Sequence, residues 1–290
     1  MARGCVPAIG LVRDENRMKI AITGARGVLG RLSVEALTRH GLVANAFEGD
    51  VRSGDEVDAW LTAAKPTHLL HFAAKVPVSI VEKDPLGAYG NNVVGTQTVL
   101  QSVAKNIPGC WLFVASTSHV YASAPAPIAE DGEIRPQNTY AYTKYVAEQS
   151  ARFFLDKGLA RVCIGRIFSF WHESQPKPYL YPAIRERIAT HDPSTDFELA
   201  GGDDVRDFSP AEEIVERILA LQRAEFTGTI NVASGVGTSV RDFVQRMGGG
   251  KLRIKVTQDR PATRLVADIS LLKKVIGDRS RASFDHHSDV

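Results

Sequence analysis

From residue 18 onward, short apolar runs alternate with longer amphipathic stretches. The runs MKIAIT, LVANAF, HLLHFAA, CWLFVAS and ARVCIGRIF have the length and the aliphatic content of buried strands. The stretches between them carry apolar residues at helical spacing, and Gly41 and Pro66 stand just past the ends of two of them. Because such strands and helices alternate, the pattern predicts an α/β fold with a doubly wound parallel sheet.

The pattern changes after about residue 175, and this change indicates how the chain is divided. Prolines interrupt QPKPYLYP, and the segments after it are more polar. We therefore predict a main α/β domain over 18–175 and a smaller C-terminal α/β lobe over 176–277 that is interleaved with it. Residues 1–17 are too weakly apolar for a signal peptide, so they are interpreted as a disordered extension, and residues 278–290 as a polar tail.

Composition excludes several classes of protein. The 290 residues are 44% hydrophobic and 23% charged with a net charge of +2, which gives no indication of a nucleic-acid or membrane partner. No apolar run reaches the roughly 18 to 20 residues of a membrane helix. Cys5, Cys110 and Cys163 have no metal or redox spacing, so we predict reduced thiols and a cytoplasmic protein. No metal site is predicted, since His286 and His287 lie in the polar tail.

A glycine-rich turn follows the first apolar run directly. ITGARGVLGRL places Gly24, Gly27 and Gly30 at the end of a predicted strand and the start of a predicted helix. Glycines let the backbone approach a pyrophosphate, and a helix N-terminus offers unpaired N–H groups and the positive end of the helix dipole. In this context the pattern predicts a dinucleotide site, and a tight turn without a ligand is the alternative.

The G-x-x-G-x-x-G spacing, with a threonine before it, resembles the short-chain dehydrogenase/reductase superfamily, specifically its extended branch. That branch contains the sugar-nucleotide epimerases, dehydratases and 4-keto reductases. Further motifs follow in the family's order up to about residue 277, namely GDVRS, HFAAKV, NNVVGTQTVL, GGDDVRDFSPAEEIVERIL, TINVASGVGTSVRDF and DRPATRLVADIS. The resemblance implies a Rossmann-type domain that binds NAD(P) over 18–175 and a substrate-binding lobe over 176–277.

The resemblance also implies which residues bind the cofactor. Asp50 corresponds to the aspartate that reaches the adenine amine, Phe72, Ala73 and Ala74 to the strand end beneath the cofactor, and Asn92 to the asparagine of the N-V-x-G-T helix. The predicted cofactor-binding set is Gly24, Arg26, Gly27, Val28, Leu29, Gly30, Asp50, Val51, Phe72, Ala73, Ala74, Asn92, Tyr140 and Lys144.

The choice between NAD and NADP depends on the end of the second strand, where an acid commonly binds the ribose 2′-OH of NAD. Glu48 lies near that point, only two residues before Asp50, and this compression resembles the 4-keto reductases more than the epimerases. Arg26 and Arg52 are placed to meet a 2′-phosphate, although both could be solvated charges. We predict NAD or NADP, with the arginines favouring NADP.

The stretch YAYTK carries the candidate catalytic groups. In a helix, Tyr140 and Lys144 lie one turn apart on one face. An ammonium lowers the pKa of a nearby phenol, so we predict that Tyr140 exchanges a proton with a carbinol while hydride moves to or from nicotinamide. The family pattern gives Thr117 of STSHVY as the hydroxyl that orients the substrate oxygen, with Ser116 and Ser118 as alternatives. It also implies that Lys144 binds the nicotinamide ribose.

The sequence around the predicted substrate site departs from the family. Ser118 and His119 stand where the dehydratases carry an Asp–Glu pair, so 4,6-dehydration is disfavoured, and His119 is either an additional acid/base or a packed histidine. FSFWHES replaces the family's N-x-Y-G-P turn and leaves the sugar open. The predicted substrate contacts, besides Thr117, are Ser169, Arg206 and Arg260, with pairing to a neighbouring aspartate as the alternative for each arginine.

Three hypotheses follow. The first is an NAD(P)-dependent oxidoreductase that reduces the 4-keto group of a nucleotide-activated sugar. The second is an epimerase that oxidises and re-reduces the same carbon and retains its NAD. The third is a non-catalytic NAD(P)-binding regulator, against which the intact Thr117–Tyr140–Lys144 trio argues. The resemblance also suggests a homodimer formed through helices around 95–105 and 140–155.

Overall fold

The computed structural model describes residues 18–257 and 259–277 and contains a six-stranded parallel sheet. Its strands are β1 (Ile20–Thr23), β2 (Ala44–Phe47), β3 (His68–His71), β4 (Trp111–Thr117), β5 (Arg161–Ile167) and β9 (Gly228–Val232), in the order β2-β1-β3-β4-β5-β9. The predicted doubly wound α/β fold is confirmed. The predicted extension 1–17 and tail 278–290, with Cys5, His286 and His287, lie outside the described residues.

Helices cover both faces of this sheet. They are α1 (Val28–Arg39), α2 (Gly54–Ala64), α3 (Val78–Val81), α4 (Pro85–Tyr89), α5 (Gly95–Asn106), α6 (Thr139–Asp156), α7 (Leu180–Ala189), α8 (Ala211–Ala224), α9 (Val240–Met247) and α10 (Ser270–Ile276). Within the described ranges, none combines the length and apolar character needed to cross a membrane.

The core has two layers because alternate residues of each strand point to opposite faces. Ile20 and Ile22 of β1 pack in one layer with side chains of α1 and α8. Ala21 packs in the other layer with side chains of α2, α5 and α6. The inner strands β1, β3, β4 and β5 are therefore buried on both sides, which explains their nearly continuous apolar runs, whereas the edge strand β2 is partly exposed.

Side-chain caps fix where several helices begin. Ser53, Asp84 and Asn138 accept hydrogen bonds from backbone N–H groups in the first turns of α2, α4 and α6. Between α4 and α5 the chain stays helical through a π-helical turn, Gly90–Val94. Such a turn holds one extra residue, and Asn92 within it is fully buried.

The order of the strands locates the ligand crevice. β1 lies between β2 and β3, so the direction of the chain connections reverses at β1, and ligands bind at the carboxyl ends of strands at such a point. β2 is the edge of the sheet on that side. Only Gly49 separates Glu48 from Asp50, so the chain has no room there for a further strand outside β2.

A smaller lobe packs beyond the carboxyl ends of the main sheet. Strands β6 (Ser169–Trp171), β8 (Val205–Pro210), β10 (Gly237–Ser239) and β12 (Arg264–Leu265) form one sheet, and β7 (Phe197–Ala200) pairs with β11 (Ile254–Thr257). Its core includes Phe208 stacked on Phe243 with ring centroids 4.2 Å apart. Since β9 and α8 return to the main domain between these strands, the lobe is built from separated segments. The boundary at residue 175 stays a prediction.

Candidate active site

Two cavities bring together most of the predicted site residues. The first, of about 350 Å³, is lined by the predicted residues Phe72, Ala74, Thr117, Tyr140, Lys144, Ser169 and Arg206. The second, of about 340 Å³, is lined by the predicted residues Gly24, Arg26, Asp50, Val51 and Ala73. We call them the reaction cavity and the adenine-side cavity. Gly27, Val28, Leu29, Gly30, Asn92 and Arg260 line neither of them.

The predicted trio meets in the reaction cavity. Thr117 ends β4, while Tyr140 and Lys144 occupy successive turns at the start of α6, which Asn138 caps by accepting a hydrogen bond of 2.9 Å from the N–H of Ala141. The phenol of Tyr140 is close enough to the hydroxyl of Thr117 for that group to lower its pKa, and both side chains line the cavity. Capping of α6 and the pairing of β4 in the sheet therefore fix the trio from two sides.

Burial controls the protonation of this trio. It raises the pKa of Tyr140, the nearby Tyr179 raises it further, and the hydroxyl of Thr117 lowers it by less. The sequence predicted that the pKa of Tyr140 is lowered. This prediction is wrong, because the surrounding protein raises that pKa. Burial also lowers the pKa of Lys144 to about 8, and Glu148 opposes that effect.

Beneath Lys144 lies a buried ion pair that sequence reasoning missed. Glu148 and Arg166 are almost completely inaccessible, and the Nη2 of Arg166 is 2.8 Å from the Oε2 of Glu148. Ser116 also donates to Glu148, and Arg166 donates to the hydroxyl of Tyr121 at 2.9 Å. The available signal was Glu148 itself, a charge one helical turn after Lys144 on an otherwise apolar face.

The glycine-rich turn has the geometry of a phosphate cradle. Gly24 has φ +72°, and a Cβ there would lie 2.6 Å from the backbone N of Ala73. A Cβ on Gly30 would lie 2.2 Å from the backbone O of Gly24. Gly27 caps α1 without a side-chain hydrogen bond, and its first turn carries no acidic residue, so the first N–H groups are available to an anion. These residues fit a dinucleotide pyrophosphate.

A buried histidine braces the strand end beside this turn. The ring of His71 is hydrogen-bonded to Thr23 at 2.7 Å and to Thr96 at 3.0 Å. Because the hydroxyl of Thr96 donates to the backbone O of Asn92, it accepts from His71, which fixes the Nε2–H tautomer. Burial, together with the smaller effect of the charge of Lys144, lowers the pKa of His71 to about 3. HLLHFAA gave no sign of this, since a histidine in an apolar strand looks like any core residue.

The adenine-side cavity contains charges of both signs. Arg52 makes a bidentate contact with Asp50, and this hydrogen bond lowers the pKa of Asp50 to about 2. Arg52 is therefore engaged, whereas Arg26 and Glu48 line the cavity with no hydrogen bond or ion pair among the described residues. Asn91 also lines this cavity and was not predicted.

Asn92 lies elsewhere than predicted. Its side chain accepts from the backbone N of Lys75 at 2.7 Å and donates to the backbone O of Lys75 and to Thr143 at 3.0 Å. Both ends of its amide are thus used within the protein. The structure gives it the role of joining the loop after β3 to α6, rather than that of lining a cofactor cavity.

The two predicted substrate arginines both pair with Asp204. Arg260 contacts that carboxylate at 2.6 Å and Arg206 at 3.3 Å, which is the alternative considered for each. Burial raises the pKa of Asp204, but the hydrogen bond from Arg260 and other contacts outweigh it and bring the pKa to about 2. Only Arg206 lines the reaction cavity, so Arg260 contributes there through Asp204.

Aromatic side chains form the outer wall of the reaction cavity. Trp171 and Tyr181 stack with centroids 5.2 Å apart, and Tyr179 and Phe170 line the same space. Phe170 and Trp171 come from the FSFWHES segment, where the sequence departs from the family, and Tyr179 and Tyr181 come from the start of α7. The sequence showed that FSFWHES differs from the family pattern. It did not show that these aromatic side chains line one cavity, because no local pattern reveals that they converge.

Comparison with known proteins decides the family. The model of the GDP-mannose 4,6 dehydratase family matches residues 24–286. The chain belongs to this family. Its membership confirms the predicted extended short-chain dehydrogenase/reductase relationship and the prediction of an enzyme.

Curated relatives of this family member include two bacterial proteins. A UDP-glucose 4-epimerase of Rhizobium leguminosarum bv. trifolii is 30% identical over 221 residues, covering 69% of this chain and 66% of that protein. A UDP-glucose 4-epimerase of Rhizobium meliloti (strain 1021) is 28% identical over 256 residues, covering 79% of this chain and 77% of that protein.

Solved structures agree on the Rossmann-type fold. The UDP-glucose 4-epimerase of Thermus thermophilus in complex with NAD superimposes with a TM-score of 0.79 at 22% identity, covering 92% of this chain and 95% of that chain. RMD from Pseudomonas aeruginosa complexed with NADPH gives a TM-score of 0.79 at 20% identity, covering 90% of this chain and 93% of that one.

Proposed function

We propose that this chain is an NAD(P)-dependent enzyme that exchanges hydride at a carbinol or carbonyl carbon of a nucleotide-activated sugar. The observation that carries the proposal is the meeting of Thr117, Tyr140 and Lys144 in one cavity beside the glycine cradle of Gly24 and Gly30. The names of the relatives, which are sugar-nucleotide epimerases, support the substrate class. The intact trio argues against a non-catalytic regulator.

The cofactor would be held by residues from α1, from the segment after β3 and from α6. The first turn of α1 would bind the pyrophosphate, the strand end at Phe72–Ala74 would support the middle of the dinucleotide, and Lys144 would bind the nicotinamide ribose. When bound, the nicotinamide supplies or accepts the hydride.

Within this scheme the trio moves one proton. The neutral phenol of Tyr140, favoured by burial, donates its proton to the substrate oxygen as the carbonyl becomes a carbinol. Thr117 donates a hydrogen bond that orients the same oxygen, and the Lys144 ammonium stabilises the phenolate that Tyr140 becomes. The reverse proton movement accompanies oxidation.

The direction of turnover separates two candidates. Reduction of a 4-keto group is supported by the adenine-side cavity, which lies at the exposed sheet edge of β2 and so permits cofactor exchange at each turnover. Epimerisation with a retained NAD is the second candidate. It is supported by the names of the curated relatives and by Glu48, whose carboxylate suits a ribose hydroxyl better than a phosphate. Arg26 supports NADP instead.

Two further parts of the proposal concern partners and location. Exposed apolar side chains on the outer faces of α4, the turn before α5 and α6 support a homodimer, as Tyr89, Val94, Tyr142 and Phe153 are each more than two-fifths exposed, at 41%, 44%, 54% and 54%. A cytoplasmic location remains a prediction from the cysteines.

The decisive experiment identifies by mass spectrometry the nucleotide that co-purifies and then follows turnover of UDP- and dTDP-linked 4-keto and 4-hydroxy sugars. A reductase is expected to consume one NAD(P)H per product and to retain little cofactor. An epimerase is expected to retain equimolar NAD with no net consumption. Absence of binding to both NAD and NADP would contradict either candidate.

A further inference from the structure

His119 is a polar side chain of the reaction cavity whose ring has no hydrogen-bond partner in the described part of the chain. Its backbone N–H donates to the Oγ1 of Thr117 at 3.3 Å, so its position is tied to the trio. Its ring, in contrast, makes no hydrogen bond or ion pair with any residue in 18–257 or 259–277. His119 is half-buried, and because its ring has no partner within these residues, its nitrogens are available to a ligand in the cavity.

The ring lies beside the reacting groups. Its centroid is 6.1 Å from that of Tyr140, with the two planes at 78°, so an imidazole edge and the phenol face the same space. His119 is also near enough to Arg206 to feel its charge. His119 therefore lines the reaction cavity together with Tyr140, the proton donor, and Arg206, a cation from the smaller lobe.

The protonation of His119 limits what it can bind. Burial, together with the smaller effect of the positive charge of Arg206, lowers its pKa to about 4, so the ring is neutral near neutral pH. A neutral imidazole has one N–H donor and one nitrogen acceptor. That pair matches a hydroxyl, which both donates and accepts, whereas a phosphate is bound better by cationic donors.

We propose that His119 is a specificity residue that hydrogen-bonds a sugar hydroxyl on a carbon next to the one that exchanges hydride, whose oxygen exchanges a proton with Tyr140. The inference rests on the proposed function and adds to it a contact that selects the sugar rather than the nucleotide. An enzyme site built to pair with a hydroxyl discriminates strongly against a sugar that lacks it, because its own polar group would be left unpaired.

The test compares the affinity for a nucleotide with that for the corresponding nucleotide sugar. Calorimetric titrations of the NAD(P)-loaded protein with UDP and UDP-glucose, and with dTDP and dTDP-glucose, give the sugar's own contribution as a ratio of dissociation constants. The variants are His119→Ala, His119→Asn, which keeps a donor and an acceptor, and His40→Ala as an exposed control at the end of α1.

We expect His119→Ala to reduce the sugar's contribution about fivefold to tenfold, the worth of one neutral hydrogen bond, with nucleotide affinity unchanged. His119→Asn should recover part of the loss, and His40→Ala should match the wild type. An unchanged ratio in His119→Ala, or an equal loss of affinity for the nucleotide alone, would overturn the proposal.

The outcomes also separate this contact from the proposed function. If the His119 effect on sugar binding is found but no hydride is transferred with any substrate, the proposed function fails and the contact stands. If the wild type binds no nucleotide sugar more tightly than its nucleotide, both are overturned. Folding of His119→Ala is checked independently by its circular dichroism and its denaturant midpoint beside those of the wild type and His40→Ala.

Discussion

The ammonium of Lys144 is buried, and burial disfavours its charged form. Burial lowers its pKa to about 8, so a sizeable fraction of the ammonium would be neutral in mildly alkaline solution. The carboxylate of Glu148, one helical turn away, opposes this loss and is itself held by Ser116 and Arg166. The buried ion pair therefore acts on the reaction through the charge of Lys144.

The first prediction concerns Glu148. In Glu148→Gln the ammonium of Lys144 loses its supporting charge, so its pKa should fall and the alkaline limb of kcat/KM should move to lower pH by about one unit. A pH–rate profile measures this shift, and Ser116→Ala, which leaves the ion pair intact, is the control.

Removing one member of the pair leaves Arg166 buried and unpaired, which can cost about 3–5 kcal/mol of folding stability. The double variant Glu148→Gln, Arg166→Gln avoids the unpaired charge and should show the same displaced limb. An unchanged limb in a folded variant would mean that Glu148 acts only in packing.

Among the helices and strands, the start of α1 is the element that best fits the pyrophosphate of a dinucleotide cofactor. Its first turn lacks both a side-chain cap and an acidic residue, and Gly24 and Gly30 let the turn close against Ala73. Without such a cap the first N–H groups of α1 are available to an anion or to water, and the close glycine-lined turn before them distinguishes α1 from the other uncapped helices.

The second prediction is that Gly30→Ala abolishes dinucleotide binding. Its Cβ would lie 2.2 Å from the backbone O of Gly24, so the turn must shift, at a cost of roughly 1–3 kcal/mol in stability. Gly54→Ala, in the first turn of α2 with nothing within 4 Å of its Cβ, is the matched control and should be neutral or slightly stabilising. Titration with NAD and NADP measures both, and full binding by Gly30→Ala would contradict the cradle.

Elements and motifs differ in how far sequence could predict them. The strands were predictable because each is a short apolar run, and the strands inside the sheet are buried on both faces while the edge strand β2 is not. The π-helical turn at Gly90–Val94 was not predictable, because it depends on contacts of Asn92 with Lys75 and Thr143, which are distant in sequence.

The site shows the same division. Tyr140, Lys144 and Thr117 were predictable because local spacing and motif order fix their positions relative to α6 and β4. The Glu148–Arg166 pair and the His71 brace were not predicted, because each joins residues of different elements. Pairing with an aspartate was an alternative for both arginines, but the sequence did not show that one carboxylate, that of Asp204, contacts both of them. The direction of the Tyr140 pKa shift was wrong because burial could not be judged from the sequence.

For the whole molecule, acid should weaken the fold through its buried neutral histidines. The pKa of His71 is about 3 in the fold against 6.5 ordinarily, so the unfolded chain binds more protons between those values. The stability that this ring contributes is complete above about pH 6.5 and is lost as the pH falls towards 3. The carboxylates of Asp50 and Asp204 have pKa values of about 2, so their contribution to stability is lost only in more acidic solution.

The third prediction follows from that difference in proton binding. Between about pH 6 and pH 4 the free energy of unfolding should fall by up to about 1.4 kcal/mol per pH unit through His71 alone. His71→Gln should flatten this dependence, while the exposed His40→Gln should not. Denaturant unfolding across this range measures the slope, and equal slopes in wild type and His71→Gln would show that the ring is not a buried neutral group.

Hydride exchange by the trio is tested in a single turnover with the intact protein. The cofactor-loaded enzyme is mixed with a nucleotide sugar that the wild type accepts, and the absorbance of the reduced nicotinamide is followed. We expect a change in the wild type and in Tyr142→Phe, whose tyrosine is 54% exposed, and a rate at least ~100-fold lower in Tyr140→Phe. A Tyr140→Phe variant that transfers hydride at the wild-type rate would contradict the role of Tyr140.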